Sequence, residues 1–452
     1  MPSLRAPLVV LILLPLAAAG AGAQTLTLAD ALRRADERAY PNRVAAGRSA
    51  EAGGRATGAL RGVLPTLRAE NGWARTTDPL GAFGSTLRQR LVTPAAFEPA
   101  RLNDPAPISN FGSAVVMELP LLDPGGLLGR RAAVRGREAA RSSEEWTRTS
   151  TRAEVIRTYF GAVLAEEQVA TLEAALASAQ GHAREADALH RNGVVTRSDL
   201  LLAEVKAGEI EADLSATRSG MRLARRRLAV ALGTPADTVF TLPDSLPPAA
   251  VVREVAARAA ADSGEPANRA DVRAAGLGAA AAGADLARAR AAFLPRLATF
   301  GRLDWNSGSG PYFGRESWTV GVMLDWRPFS GGAELGEAQA ARGRRAAAEA
   351  QAEGATAQAR LEASQAEDAL GVALERLGIA ERAVAQSGEA HRIVARKYEG
   401  GVASVVELLD AAAAETRSRL AFSQARYEVI AAAAARRQAL GLDLEVLDAL
   451  DR

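Results

Sequence analysis

The chain has no cysteine among its 452 residues, which excludes structural disulfides, thiolate-held metals and a lipid-anchored N-terminal cysteine. Lysine occurs only at Lys206 and Lys397, and aromatics are 4% of the sequence, so helical surface must be made of Ala, Arg and Glu. Charge of one sign is also scarce. The 55 basic and 53 acidic residues interleave and leave +2, which argues against nucleic acid as a partner. Beyond residue 23 no window offers about 18 uninterrupted apolar residues, so no membrane-spanning helix is expected there. Catalytic signatures are missing as well: His182, His190 and His391 lack HExxH spacing, and no GxxxxGK or GxSxG occurs. The glycines of GSGPYFG (308–314) have the spacing of a loop, not of a dinucleotide site. No enzyme activity, cofactor or metal site is expected.

What is present begins with an export signal. Arg5, the apolar run LVVLILLPLAAA (8–19) and the small residues Ala21 and Ala23 predict a signal peptide over 1–23 and a mature start at Gln24. Without a cysteine anchor, the exported chain must be held where it works by its own fold.

Two stretches have the form of a strand that empties into a long helix. LPLLDPGGLLG (119–129) and WTVGVMLDWRPFSGGAELG (318–336) place their double glycines, Gly125-Gly126 and Gly331-Gly332, 206 positions apart. VLPTL (63–67) likewise echoes FLPRL (293–297), and NGVVTRSDLL (192–201) echoes GGVASVVELL (400–409). Three anchors in one order predict an internal two-fold repeat. Repeat 1 then covers 24–233 with strands 66–77 and 111–122, and repeat 2 covers 251–452 with strands 296–306 and 317–327. Residues 234–250, with four prolines, are the linker. Segment 78–107, with five prolines, reads as a long loop. The helices entering the repeats are expected over Leu28 to Gly62 and Val272 to Phe293, each ended by a Leu-Pro.

The strands alternate. Trp318, Val320, Val322, Leu324 and Trp326 oppose Thr319, Gly321 and Asp325; Leu297, Thr299, Leu303 and Trp305 oppose Arg302, Asp304 and Asn306; Phe111, Val115, Met117 and Leu119 oppose Gly112 and Glu118. Nine residues at about 3.3 Å span roughly 27 Å, near the apolar height of an outer-membrane barrel, and Trp305, Trp318 and Trp326 sit where interfacial aromatics belong. A soluble β-sandwich face alternates in the same way. Four strands cannot close a membrane barrel, so the cylinder must be shared between chains: two would supply eight strands, three would supply twelve.

The helices are too long for a small globule. Leu127 to about Arg191 would span roughly 95 Å. The last helix repeats Val405, Leu409, Ala412, Thr416, Leu420, Ser423, Tyr427, Ile430 and Ala434 at spacings of three and four, a narrow coiled-coil seam. Gly125, Gly126, Gly331 and Gly332 are therefore expected to be β-to-α hinges, using the dihedral freedom of glycine.

The Leu-Pro strand entries, the Gly-Gly steps, YFGAVLAEE (159–167) and the hairpin tips with their 40-residue returns together resemble the TolC-like outer-membrane efflux family across essentially the whole mature chain. The resemblance implies an α+β membrane protein: a homotrimer whose twelve-stranded β-barrel continues into a long α-helical coiled-coil barrel. It implies a place in the outer membrane of a Gram-negative bacterium, projecting into the periplasm and embedded in outer-membrane lipid. It also implies a periplasmic membrane-fusion adaptor and an inner-membrane pump of RND, ABC or MFS type as partners, with cargo leaving passively. On the family pattern Glu407 and Asp410 fall at the periplasmic gate, where six carboxylates in three copies would raise one another's pKa and favour cations. Tyr398 and Asp199 match its inter-hairpin hydrogen-bonding pair, and Gly193, Val194, Gly401 and Val402 match the adaptor-contact tips. Ala403 stands where the family often has a gate arginine, which leaves Arg197 as a substitute. The alternative is a secreted periplasmic coiled-coil structural or adaptor protein without a pore, for which lipid-facing strands have no use.

Overall fold

The computed structural model describes residues 25–451, so the expected signal peptide over 1–23 lies outside the described residues. Four strands, β1 (Thr66–Thr76), β2 (Ile108–Leu122), β3 (Arg296–Ser307) and β4 (Arg315–Asp325), form one antiparallel sheet in chain order. β1 and β4 are its open edges. Each strand is joined end to end with a helix. α2 (Tyr40–Gly58) leads to β1, β2 leads to α5 (Pro124–Arg191), α8 (Ala270–Ala291) leads to β3, and β4 leads to α9 (Ala333–Glu399). These helices pack in the same order as the strands, α2 on α5, α5 on α8 and α8 on α9, so the sheet and the helices form one continuous wall.

Further along, α2 and α8 are replaced by two returning helices. α6 (Arg197–Ala231) packs on α5, α5 packs on α10 (Val405–Ala439), and α10 packs on α9. With 68 and 67 residues, α5 and α9 are each roughly 100 Å long and run the full height of this part. α6 and α10 have 35 residues apiece.

The main apolar core lies where the two tiers meet. Tyr159, Phe160 and Val163 of α5 pack with Val429 and Ile430 of α10, with Leu28 of α1 (Leu28–Arg38) and with Val252 of α7 (Ala249–Ala261). The Tyr159 hydroxyl donates to the Leu26 carbonyl at 2.8 Å. Leu242 and Leu246, from the proline-rich stretch 234–250, are buried in this core.

Four details differ from the sequence expectation. The helix expected from Leu28 to Gly62 breaks at Ala39 (φ −54°, ψ 133°), because Pro41 has no N–H to return and disfavours a continuous helix before it. Segment 78–107 is not all loop: it contains α3 (Pro79–Arg88), a 3-10 turn at Pro94–Phe97 and α4 (Pro99–Asn103), each with a proline in its first turn. β2 begins at Ile108 rather than 111, and β4 ends at Asp325, which leaves Trp326 just past the strand with its indole N–H on the Phe293 carbonyl at 3.1 Å.

The fourth concerns the hinges. Gly331 (φ 65°) and Gly332 (φ 87°) use the left-handed region. Gly125 and Gly126 do not. They lie in the first turn of α5, after Pro124, and the Asp123 side chain caps that turn by accepting from the Gly126 N–H at 2.9 Å. Their neighbourhood explains one of them: a Cβ on Gly126 would lie 2.8 Å from the Gly62 Cα, so two backbones cross where neither has a side chain. Gly126→Val is expected to cost about 1–3 kcal/mol through this overpacking. Gly125→Ala, with room around it, is expected to be neutral. Equal apparent melting points for the two variants would remove the crossing as the reason for glycine.

Candidate functional site

The sheet's register sorts its residues into two faces. Trp73 pairs with Phe111, Ala69 with Val115, and Leu67 with Met117 on β1 and β2. Val115 pairs in turn with Leu303, and Leu303 with Trp318, while Thr299 pairs with Val322 and Leu297 with Leu324. All these lie on one face, and it is uncovered: Trp318 is 74% exposed, Val320 68%, Val322 65% and Leu324 66%. A water-soluble sheet does not leave such a row open.

Aromatics mark the ends of this face. Trp73, Trp305 and Trp318 step across β1, β3 and β4 toward the end that carries the β3–β4 turn, and Trp305 packs edge to face on Tyr312 at 5.9 Å. Trp326 lies at the opposite end, beside the start of α9.

The other face is polar and satisfied. Arg302 of β3 reaches across β2 to Glu70 of β1 at 3.0 Å and bonds Asp304 at 2.8 Å, while Arg68 meets Glu70 at 2.7 Å. Toward the end that carries the β3–β4 turn, Gln89 donates to Asn110 and Asn110 to Asn306, both at 2.9 Å. Phe300 covers Gly321 on this face, where a Cβ on the glycine would lie 2.7 Å from the ring. The sheet thus has an apolar, exposed front and a polar, ion-paired back.

The far ends of the helices form two equivalent tips. α5 closes on Asn192 with Gly193 at φ 72°, and α9 closes on Gly400 with Gly401 at φ 70°. In each the glycine N–H returns to the carbonyl three residues back and the next valine to the one five back, so the last carbonyls are satisfied. Those valines, Val194 and Val402, are 67% and 79% exposed.

Each tip then starts its returning helix with a capping box, Thr196 with Asp199 on α6 and Ser404 with Glu407 on α10. The Glu407 carboxylate accepts from the Ser404 N–H at 2.7 Å, and that bond, seconded by the Ser404 hydroxyl, lowers its pKa below the ordinary carboxylate value. Glu407 and Asp410 are both exposed and share one face of α10 at i, i+3, and the Asp410 charge acts on Lys206 of α6.

The expected bond between Tyr398 and Asp199 is not formed within the chain. The Asp199 carboxylate is taken by Thr196, three residues away, whose N–H lies at 3.0 Å and whose hydroxyl lies at 2.7 Å. Tyr398 is instead buried in an apolar cluster with Ala186, Ala203, Val405, Leu408 and Leu409, and its hydroxyl has no hydrogen-bond partner. Burial, then Glu185 and Asp199, raise the pKa of that phenol. Ala403 packs on the same cluster, and Arg197 is exposed at the start of α6.

Among the described residues no group of three or more His, Asp or Glu is placed to hold a metal, and no helix is long and apolar enough to cross a membrane. Residues 79–234 and 265–442, well over half of the chain, match the profile of the family described as outer membrane efflux protein. No curated protein sequence matches. Among solved structures, the outer membrane protein VceC from Vibrio cholerae is 20% identical with a TM-score of 0.73, over 92% of this chain and 96% of that one. The Campylobacter jejuni CmeC outer membrane channel is 17% identical with a TM-score of 0.74, over 97% and 94%. The open state of the Neisseria gonorrhoeae MtrE outer membrane channel is 21% identical with a TM-score of 0.72, over 92% and 89%. At such identities these likenesses are likenesses of fold. The family match reaches from the β1–β2 connection past both tips to the end of α10, and the chain belongs to the outer membrane efflux protein family.

Proposed function

We propose that three copies of this chain form a channel-tunnel that gives small molecules or secreted substrates passive exit across the periplasm and outer membrane. The observation that carries this reading is the sheet: four strands with two unpaired edges and one exposed apolar face, continued by helices roughly 100 Å long. Backbone groups at an open edge have no partner in lipid, so β1 of one copy pairs with β4 of the next. Two copies would give eight strands, whose interior side chains fill. Three copies give twelve and leave a lumen for the long inner-face residues Arg68, Arg302 and Glu70. The same closure joins the helices into a coiled-coil barrel.

The internal repeat belongs to this reading. Its support is the matched lengths of α5 and α9 and of α6 and α10, with Gly193, Gly401, Gly233 and Gly441 at φ 72°, 70°, 72° and 69°. The units are 24–233 and 251–452 with the linker 234–250, after a signal peptide over 1–23. A periplasmic membrane-fusion adaptor grips Gly193-Val194 and Gly401-Val402, and an inner-membrane pump of RND, ABC or MFS type supplies energy. The poreless coiled-coil alternative leaves the apolar sheet face without a purpose.

At the tips, Glu407 and Asp410 line the periplasmic gate in three copies. Six carboxylates gathered around one axis make a ring that prefers cations. In planar bilayers the purified trimer is expected to show discrete cation-selective steps. Glu407→Gln with Asp410→Asn should lower the cation-to-anion permeability ratio several-fold while steps persist. Steps with unchanged selectivity would take both acids out of the gate, and a trimer without steps would overturn the channel.

A further inference from the structure

The chain has three histidines, and two of them meet. His182 of α5 and His391 of α9 lie edge to face with centroids 6.1 Å apart, so the contact joins the α5–α6 hairpin to the α9–α10 hairpin. It lies about 16 Å above the tips, counting the 11 positions from His182 to Gly193 along α5. His391 Nδ1 is 2.6 Å from a carboxylate oxygen of Glu415 on α10, whose other oxygen is held by Arg419 at 2.6 Å. With Nδ1 donating to Glu415, His391 Nε2 is a bare acceptor, buried and without a hydrogen-bond partner. His182 has the Ser178 hydroxyl at 3.3 Å and, at 4.0 Å, the half-exposed Glu185.

Both rings line a partly open cavity of about 480 Å³ between the hairpins. Lys206, Glu209 and Asp213 of α6 and Arg417 and Arg419 of α10 line the same cavity. Glu209 is paired with Lys206 at 2.8 Å and Glu415 with Arg419, so these acids are already engaged. Two turns further along α9, Tyr398 packs in the cluster that carries the tips.

From this arrangement we infer that the His182–His391 contact is an acid-sensitive latch between the two hairpins: protonating both rings forces them apart and frees the tips to open. The inference rests on the gate reading of the tips. One added proton is accommodated, because the imidazolium it makes of His391 faces the Glu415 carboxylate. A second places an imidazolium on His182, against a charged His391 and without a buried acid of its own.

The direction of titration agrees. Burial, and next the neighbouring His391, hold the His182 imidazole below its ordinary value of 6.5, with Glu185 acting against them. A base whose pKa is depressed in the packed state binds its proton more readily when the hairpins separate. The latch is therefore intact above about pH 6.5 and is lost as pH falls through the lowered value of His182.

The test is amide hydrogen exchange, corrected for intrinsic rate, on segments 186–199 and 394–407 of the detergent-solubilised full-length protein at pH 7.5 and 5.5, in parallel with bilayer recordings. In the parent, exchange at the tips and channel open probability are expected to rise several-fold at pH 5.5. His182→Gln is expected to match the parent at pH 7.5 and to lose the acid response; His182→Lys is expected to show fast exchange at both pH values. Parent and His182→Gln responding alike to acid would overturn the latch and leave the channel reading standing. Absence of conductance with an acid response in exchange that His182→Gln removes would keep the latch and overturn the channel.

Discussion

Arginine at Val322 is expected to keep the protein from assembling in the outer membrane. Val322 lies midway along the exposed row from Trp318 to Trp326 and pairs with Thr299, so in the proposed barrel it faces the middle of the bilayer. Arginine at such a depth costs about 2–4 kcal/mol per site, and a trimer carries three sites. Val320→Arg, one level away, should behave in the same way. Ser317→Arg is the matched control, because Ser317 is on the polar face opposite Asp304, where a cation finds a partner. The readout is the heat-modifiable oligomer band in the outer-membrane fraction: absent for Val322→Arg and Val320→Arg, present for Ser317→Arg. Normal assembly of Val322→Arg would mean that this face does not meet lipid.

A second large effect is expected at Arg426→Met, far from lipid. Arg426 is 9% exposed and holds three things together. Its guanidinium pairs with Glu167 of α5, donates to the Leu246 and Pro247 carbonyls at 3.0 and 3.3 Å, and lies over the Phe422 ring at 4.8 Å. Glu167, 17% exposed, also accepts from the Leu246 N–H at 2.9 Å and the Ser423 hydroxyl at 2.5 Å. Methionine fills much of the volume but leaves a partly buried carboxylate without its cation, a loss of up to about 3–5 kcal/mol. The apparent melting point at a fixed heating rate should fall by several degrees or more. Adding Glu167→Gln should recover part of the loss, because the neutral amide needs no counter-charge. A single variant as stable as the parent would show that solvent reaches Glu167 and that this clamp on 234–250 is unimportant.

How far these features were legible depends on the distance over which they are decided. The apolar faces of β3 and β4 could be read directly, because a strand's side chains alternate with period two and lipid requires one face uniformly apolar. The left-handed backbone at Gly331-Gly332 is marked in the sequence by a glycine pair. At Gly125-Gly126 the same pattern had another cause, since Asp123 and Pro124 start a regular helix and the crossing partner Gly62 lies 64 positions earlier.

Within one chain the Asp199 carboxylate is met locally: the Thr196 hydroxyl three residues away reaches it at less conformational cost than a residue of another hairpin. The bridge from Arg302 to Glu70, the Gln89–Asn110–Asn306 relay and the pairing of His182 with His391 could not be read at all. Each depends on the register between elements more than a hundred residues apart or on a loop folding back, and no local periodicity encodes that.

The most direct test of the whole account is the protein mass of the particle extracted from the outer membrane, measured by light scattering with the detergent contribution removed. Three chains per particle are predicted. A stable single chain, its sheet edges unpaired and its tryptophan-bordered face open to water, would contradict the shared barrel and the tunnel built on it.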